Sequence, residues 1–165
     1  MTIKIGDKIP SVTLKHLAAD GMQDLTTDSV FGGKKVVMFS VPGAFTPTCS
    51  AKHLPGYVQN LDAFKAQGIE VACLAVNDPF VMKTWAETQK ASGITFLPDG
   101  NATFTKALGL EMDGTGYGLG TRGQRFALYA ENGVVKAIAV EKAGAFDVSS
   151  AEAMLKTISA TKAAA

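Results

Sequence analysis

Two continuous apolar runs stand out in the first half of the chain. Residues 34–41 form the first run, which two lysines open and a Pro-Gly pair stops, and residues 69–76 form the second, which an Asn-Asp-Pro turn stops. Runs of this length that are rich in valine are typical of strands covered on both faces. The pattern therefore predicts two interior strands.

Helical patterns follow each of these strands. Residues 50–67 carry apolar side chains at steps of three and four, with Gly68 as the expected C-terminal cap and Pro55 as an expected kink one turn in. Further helices are predicted over residues 80–90, 102–108 and 150–160, the last with Ser149 or Ser150 as its N-cap. The apolar stripe of the first helix consists of Leu54, Tyr57, Val58, Leu61 and Phe64.

The second half of the chain contains the clearest hairpin signal. Residues 124–130 and 134–140 are strand-like segments joined by Glu-Asn-Gly. The order strand, helix, strand, helix, hairpin and helix is typical of an α/β fold with helices on a central sheet. We expect a mixed sheet with a parallel core and an antiparallel end. A chain of 165 residues corresponds to about one domain.

Charge and cysteine content narrow the class of protein. The 16 basic residues against 15 acidic ones give a net charge of +1, without the excess of basic residues expected of a nucleic-acid-binding protein. Two cysteines and two histidines, none at paired ligand spacing, do not predict a metal site. No apolar run approaches the length of about 18 residues that a membrane span needs, and the first residues do not resemble a secretory signal. A cytoplasmic location is expected, or an organellar one if a transit segment has been removed.

The chemistry is concentrated between the first strand and the first helix. Cys49 lies at the predicted helix start, where unpaired N–H groups and the positive end of the helix dipole stabilise a thiolate. The thiolate is the nucleophilic form of cysteine. Position alone leaves a second interpretation open, because free cysteines are usually buried and inert.

Further residues make the segment more specific. Pro42, Thr46 and Cys49 fit the pattern Pro-x-x-x-Thr-x-x-Cys, and residues 42–57 resemble the type II, or peroxiredoxin-5-like, subgroup of the peroxiredoxin family. Similar blocks follow in order at residues 76–82, 97–99 and 122–127, so that the likeness covers nearly the whole chain. The resemblance implies one thioredoxin-like domain over residues 1–165. It also implies a thiol peroxidase that reduces hydrogen peroxide and alkyl hydroperoxides as an antioxidant.

The resemblance gives each matched residue a role. Cys49 attacks the O–O bond and becomes a sulfenic acid. Thr46 presents its hydroxyl to the peroxide or the thiolate, and Pro42 forms a rigid side of the pocket over the sulfur. Arg125 matches the active-site arginine of the family, whose charge favours the thiolate and polarises the peroxide. Backbone N–H groups near Ala44 and Cys49 are the remaining donors. Taken singly, the prolines are more often loop residues, the threonine is also consistent with a helix cap, and the arginine is more often a solvated charge.

Two neighbouring residues are expected to support this site. His53 follows Cys49 by one helical turn, so that a Cys/His nucleophilic pair is one alternative, although a structural or interface role is favoured. Arg122 is the only arginine besides Arg125 and shares the same strand entrance. We expect it to lie behind Arg125.

Cys73 raises the question of how the sulfenic acid is reduced. It lies in the middle of the second predicted strand, where a cysteine is often an inert buried thiol. The alternative is a resolving thiol, a role proposed for the matching cysteine in some members of the subgroup. The animal-type members carry a resolving cysteine around residues 147–151, where this chain has Val-Ser-Ser. The departure favours an external thiol, either glutathione with glutaredoxin or thioredoxin, and a disulfide between Cys49 and Cys73 is the less favoured outcome. No bound cofactor is expected.

The sequence leaves two alternative functions and one assembly to consider. A peroxide sensor that relays oxidation from Cys49 to partner proteins is the alternative function, and turnover with a recycling reductant separates it from a peroxidase. A thioredoxin-like binding module without chemistry is disfavoured by the intact motif. The resemblance also implies a homodimer, for which Phe45, Phe80 and residues 117–121 are the candidate contacts.

Overall fold

The computed structural model describes residues 1–164, in which a five-stranded sheet is flanked by helices on both faces. The strands are β1 Thr13–Ala18, β2 Gly21–Thr26, β3 Lys35–Ser40, β4 Ile69–Ala75, β5 Thr95–Pro98, β6 Glu111–Asp113, β7 Thr121–Gly123, β8 Phe126–Glu131 and β9 Val134–Val140. The helices are α1 Thr27–Phe31, α2 Leu54–Gln59, α3 Leu61–Lys65, α4 Pro79–Thr88, α5 Thr103–Ala107 and α6 Ala151–Ala164. A π-helical turn, Cys49–His53, runs into α2, and a 3-10 turn, Thr115–Tyr117, precedes β7. Within residues 1–164, no helix combines the length and the apolar character needed to cross a membrane.

The central sheet has the strand order β5-β4-β3-β8-β9. Strand β4 is parallel to both β3 and β5, whereas β8 is antiparallel to β3 and to β9. The helices α2 and α3 connect β3 to β4, and α4 connects β4 to β5. The predicted mixed sheet with a parallel core and an antiparallel end is therefore confirmed.

The side chains of β3 explain why its sequence is an uninterrupted apolar run. Val37 and Phe39 face one core, which α2, α3, α4 and α6 cover, whereas Val36 and Met38 face a second core beneath α1 and α5. All four side chains are at most 1% exposed. Because helices cover both faces of this strand, its four interior positions all carry apolar residues.

The structure differs from the predictions in three places. The hairpin of β1 and β2 was not predicted, because β2 is largely exposed and carries no clear alternation of apolar residues. The short strands β6 and β7, which pair on either side of the glycine-rich segment of residues 114–120, were not predicted. The helix predicted over residues 50–67 is broken at Asn60, whose φ of −101° and ψ of 8° separate α2 from α3.

The start of that helix also departs from the regular α-helical pattern. Residues 47–48 are already helical, and the following turn is a π-helix in which the Leu54 N–H donates to the Cys49 carbonyl, five residues back. Pro55 comes next and has no N–H to donate. The wider π-helical turn therefore accommodates this proline within the helix. Single π-helical turns are common at functional sites.

Candidate active site

Three chain segments converge at one edge of the central sheet. Ser40 at the end of β3 pairs with Phe126 at the start of β8, and Phe126 also pairs with Val140 at the end of β9. Arg125 and Glu141, which lie just beyond these pairs, are joined by a hydrogen bond of 3.0 Å from the Glu141 N–H to the Arg125 carbonyl. The antiparallel pairing thus places Arg125 beside the loop that follows β3 and leads to Cys49.

Cys49 lies in the first turn of the helix that follows this loop. Its side chain is fully buried, and the first backbone bond of the helix runs from the Ser50 N–H to the Thr46 carbonyl at 3.0 Å. The N–H groups before Ser50 belong to the first turn, which has no carbonyl partners inside the helix. Arg125 donates a hydrogen bond from Nη2 to the Cys49 sulfur at 3.2 Å. A permanently charged guanidinium at this distance stabilises the thiolate form.

His53 accepts a hydrogen bond from the second terminal nitrogen of the Arg125 guanidinium. Arg125 Nη1 donates to His53 Nδ1 at 2.8 Å, and His53 Nε2 lies 3.0 Å from the Ser149 carbonyl. Arginine has only donors and a carbonyl has only lone pairs, so the proton of the imidazole must be on Nε2. Burial, with a second contribution from the Arg125 charge, lowers the pKa of His53 to about 3. Both ring nitrogens are occupied, so the Cys/His nucleophilic pair is wrong and His53 acts on Arg125 instead.

The loop between β3 and the helix has a different hydrogen-bonding pattern from the one expected. The Thr46 hydroxyl donates to the Gly43 carbonyl at 2.7 Å, which leaves its oxygen free to accept a hydrogen bond. The Ala44 N–H, expected to be a free donor, is bonded to Asn77 Oδ1 at 2.9 Å. The turn after β4 folds back against this loop and takes up this one of the backbone donors expected near Ala44.

Arg122 connects the same loop to the glycine-rich segment. Its Nη1 donates to the Pro42 carbonyl at 3.2 Å, and its Nε donates to the Leu119 carbonyl at 3.0 Å. Gly43 is the residue beside it, and a Cβ added there would lie 2.5 Å from Arg122 Nη1. Arg122 therefore supports the Pro42 wall, and its hydrogen bonds do not reach the sulfur.

The segment between β9 and α6 contributes residues that the sequence did not single out. The Phe146 ring centre lies 5.9 Å from the Arg125 guanidinium carbon and 5.0 Å from the His53 ring centre. Ser150, one of the two expected caps of the last helix, accepts a hydrogen bond at its hydroxyl from the Ala153 N–H at 3.1 Å. Ser149, the other candidate, offers its carbonyl to His53 and to the Tyr57 hydroxyl, the latter at 2.8 Å. This segment has no periodicity, so its sequence carried no signal beyond the resemblance around residues 147–151.

Cys73 is also buried close to this site, in the middle of β4. It pairs in register with Phe39, and its side chain is fully buried. Burial raises the pKa of the Cys73 thiol well above its usual value, and the charge of the nearby Cys49 adds to the shift. Both cysteines are free thiols. A thiol that keeps its proton is a weak nucleophile, so Cys73 is poorly suited to attack an oxidised Cys49.

Comparison with known proteins identifies related sequences and structures. The Redoxin family matches residues 4–155. The chain is 47% identical to peroxiredoxin-2E-2, chloroplastic, of Oryza sativa over 95% of its own length and 73% of that protein, and 45% identical to peroxiredoxin-2D of Arabidopsis thaliana over 94% and 98%. The crystal structure of reduced Prx3 in complex with h2o2 from Vibrio vulnificus superposes with a TM-score of 0.91 at 50% identity, covering 95% of this chain and 99% of that one.

These matches confirm the resemblance and the thioredoxin-like fold that it implied. They extend along nearly the whole described chain and are far above the identity at which only a fold is shared. The chain belongs to the peroxiredoxin family, among its type II-like members, and is a thiol-dependent peroxidase.

Proposed function

We propose that Cys49 is the thiol that reacts with the hydroperoxide. The Cys49 thiolate attacks the terminal peroxide oxygen, a new S–O bond forms and the O–O bond breaks. Sulfur is oxidised by two electrons to the sulfenic acid, and the peroxide is reduced to an alkoxide or hydroxide, which takes up a proton and leaves as alcohol or water.

The hydrogen bond of 3.2 Å from Arg125 to the Cys49 sulfur is the observation that carries this proposal. The same guanidinium that stabilises the thiolate also faces the negative charge that develops on the leaving oxygen. Thr46 has an unused acceptor to receive the O–H of the peroxide, since its own proton is directed to Gly43. Pro42, held by Arg122, forms the rigid wall beside them.

Hydrogen peroxide and small alkyl hydroperoxides are the proposed substrates. Cys49 is fully buried, so only the terminal oxygen of a slim molecule reaches the sulfur without rearrangement of the loop. The complex of the Vibrio vulnificus Prx3 with h2o2 supports hydrogen peroxide as a ligand of such a site.

We also propose that an external thiol reduces the sulfenic acid. The thiol attacks the sulfenic sulfur and releases water, which leaves a mixed disulfide that a second thiol reduces. Glutathione with glutaredoxin, or thioredoxin, would supply these thiols. The raised pKa of Cys73 and its place inside β4 argue against an internal disulfide.

Intact-mass analysis tests these assignments. The wild type, Cys49→Ser and the matched Cys73→Ser variant are each treated with one equivalent of hydrogen peroxide and a sulfenic-acid trap. We expect the wild type and Cys73→Ser to gain the trap and Cys49→Ser to remain unchanged. Loss of two hydrogens in the wild type, with trapping only in Cys73→Ser, would show that Cys73 resolves internally. Peroxide turnover with each reductant then identifies the recycling thiol and separates a peroxidase from a sensor.

A homodimer built around the site loops is proposed as the assembly. Phe45, Phe80 and Tyr117 are 51%, 60% and 89% exposed. The bond between Ala44 and Asn77 joins the first two loops, and Arg122 ties the third to Pro42, so these apolar side chains surround the same site. Sedimentation of the wild type against Phe80→Glu tests this, with a dimer expected only for the wild type. The cytoplasmic location stays a prediction, since relatives named chloroplastic also match.

A further inference from the structure

The loop from Glu141 to Ser149 is organised around one buried carboxylate. Glu141 Oε2 accepts hydrogen bonds from the N–H of Asp147 at 2.7 Å, the N–H of Ser149 at 2.8 Å and the hydroxyl of Ser149 at 2.6 Å. The residue is 8% exposed, and its carboxylate has no ion-pair partner within the described residues. Burial alone raises the pKa of this carboxyl, but the hydrogen bonds of the loop outweigh it and lower the pKa. The loop therefore replaces the solvation that burial removes.

The same loop forms the back wall of the site. The Ser149 carbonyl accepts a hydrogen bond from His53 Nε2 and another from the Tyr57 hydroxyl. The Phe146 ring packs against His53 and against the Arg125 guanidinium. Each of these contacts depends on the path of the loop. The Glu141 carboxylate is the common acceptor for the donors of Asp147 and Ser149 in that loop.

We propose that Glu141 is a positioning residue for the reaction at Cys49. Its carboxylate fixes the loop, the Ser149 carbonyl of the loop fixes the Nε2–H form of His53, and His53 Nδ1 then holds the Arg125 guanidinium against the sulfur. This inference rests on the proposed roles of Cys49 and Arg125 and adds the group that maintains their geometry.

The physical consequence of removing the carboxylate follows from the donors it leaves behind. Three donors lose their acceptor, two of them on the buried Ser149, and a loop with unpaired donors shifts toward water. Without the Ser149 carbonyl, His53 has no fixed partner for Nε2, and a proton on Nδ1 would abolish the acceptor for Arg125. A guanidinium displaced by about 1 Å loses much of its effect on a reaction at the sulfur.

A double-mutant cycle distinguishes positioning from general destabilisation. Glu141→Ala is made in the wild type and in Arg125→Ala, and the rate constant for the reduced protein with hydrogen peroxide is measured by stopped flow. Trp85 is the only tryptophan and donates to Ser50, the neighbour of Cys49, so its fluorescence reports the reaction. Glu131→Ala, at the opposite end of β8 from Arg125, is the matched control.

We expect Glu141→Ala to slow the reaction by about tenfold in the wild type and by less than about twofold in Arg125→Ala, since residues acting through one group are not additive. An equal factor in both backgrounds, or an unchanged rate in the wild type, overturns the inference. Glu141→Met, which keeps the length of the side chain but has no acceptor oxygen, is judged by the same criteria where circular dichroism shows that Glu141→Ala is unfolded. A Cys49→Ser variant that still reacts with peroxide overturns the role of Cys49 and this inference together, whereas an inert Cys49→Ser with additive Glu141 effects overturns this inference alone.

Discussion

The buried imidazole of His53 makes the stability of the protein sensitive to acid in a calculable way. Its pKa is lowered to about 3 in the folded protein, chiefly by burial and then by the Arg125 charge, against an ordinary value of 6.5. Below pH 6.5 the unfolded chain therefore binds a proton at this residue that the folded protein rejects. Falling pH favours unfolding throughout the interval from 6.5 to 3, and above 6.5 the residue contributes no pH dependence.

The size of the effect follows from the two pKa values. One pH unit inside the interval corresponds to about 1.4 kcal/mol, so lowering the pH from 7 to 4.5 removes about 2.5 kcal/mol of stability through His53 alone. His53→Gln removes the titrating group and retains an amide N–H at the Nε2 position for the Ser149 carbonyl. We expect the wild type to lose about 2.5 kcal/mol more than this variant between the two pH values.

Urea unfolding at pH 7 and at pH 4.5, followed by circular dichroism, measures this difference directly. Comparing the two proteins cancels the contribution of the carboxylates, which titrate in both. His16→Gln removes the only other histidine and is the matched control, which should lose as much stability as the wild type. An equal loss in the wild type and His53→Gln would refute the reasoning, because it would mean that His53 is as easily protonated in the folded protein as in the unfolded chain.

Three further predictions concern local features of the structure. Asp99→Ala removes the carboxylate that accepts hydrogen bonds from two backbone N–H groups and one hydroxyl. We expect the free energy of unfolding, measured in urea, to fall by about 3 kcal/mol. An unchanged unfolding midpoint would argue against these hydrogen bonds. Phe45 has a φ of 66°, so Phe45→Gly should be more stable than Phe45→Ala by about 1 kcal/mol, and equal stability would mean that the loop is unstrained. Gly43→Ala places a Cβ 2.5 Å from Arg122 Nη1 and should slow peroxide reduction by at least about tenfold. Gly56→Ala is the control, because a Cβ added at Gly56 has no neighbouring atom within 4 Å, and it should leave the rate unchanged.

The sequence was informative wherever local periodicity or a local motif defines the structure. The apolar runs predicted β3 and β4 because both faces of these strands are covered, and the Glu-Asn-Gly signal predicted the β8–β9 hairpin. The position of Cys49 between a strand and a helix was also predicted from the sequence, since it depends only on neighbouring residues. The strand β2 gave no such signal because it buries little of its surface.

The sequence by itself determined the α/β order of the elements, the reactive segment around Cys49 and, through its resemblance, the family. Tertiary structure alone decided what surrounds the sulfur. Arg125 is 76 residues from Cys49 along the chain and reaches it because β8 begins, antiparallel, where β3 ends. The proton position on His53 and the role of the loop after β9 depend on contacts between residues 72 to 96 positions apart. Sequence patterns of period two or 3.6 encode which face of an element is buried, but the pairing order of the strands determines which distant side chains meet.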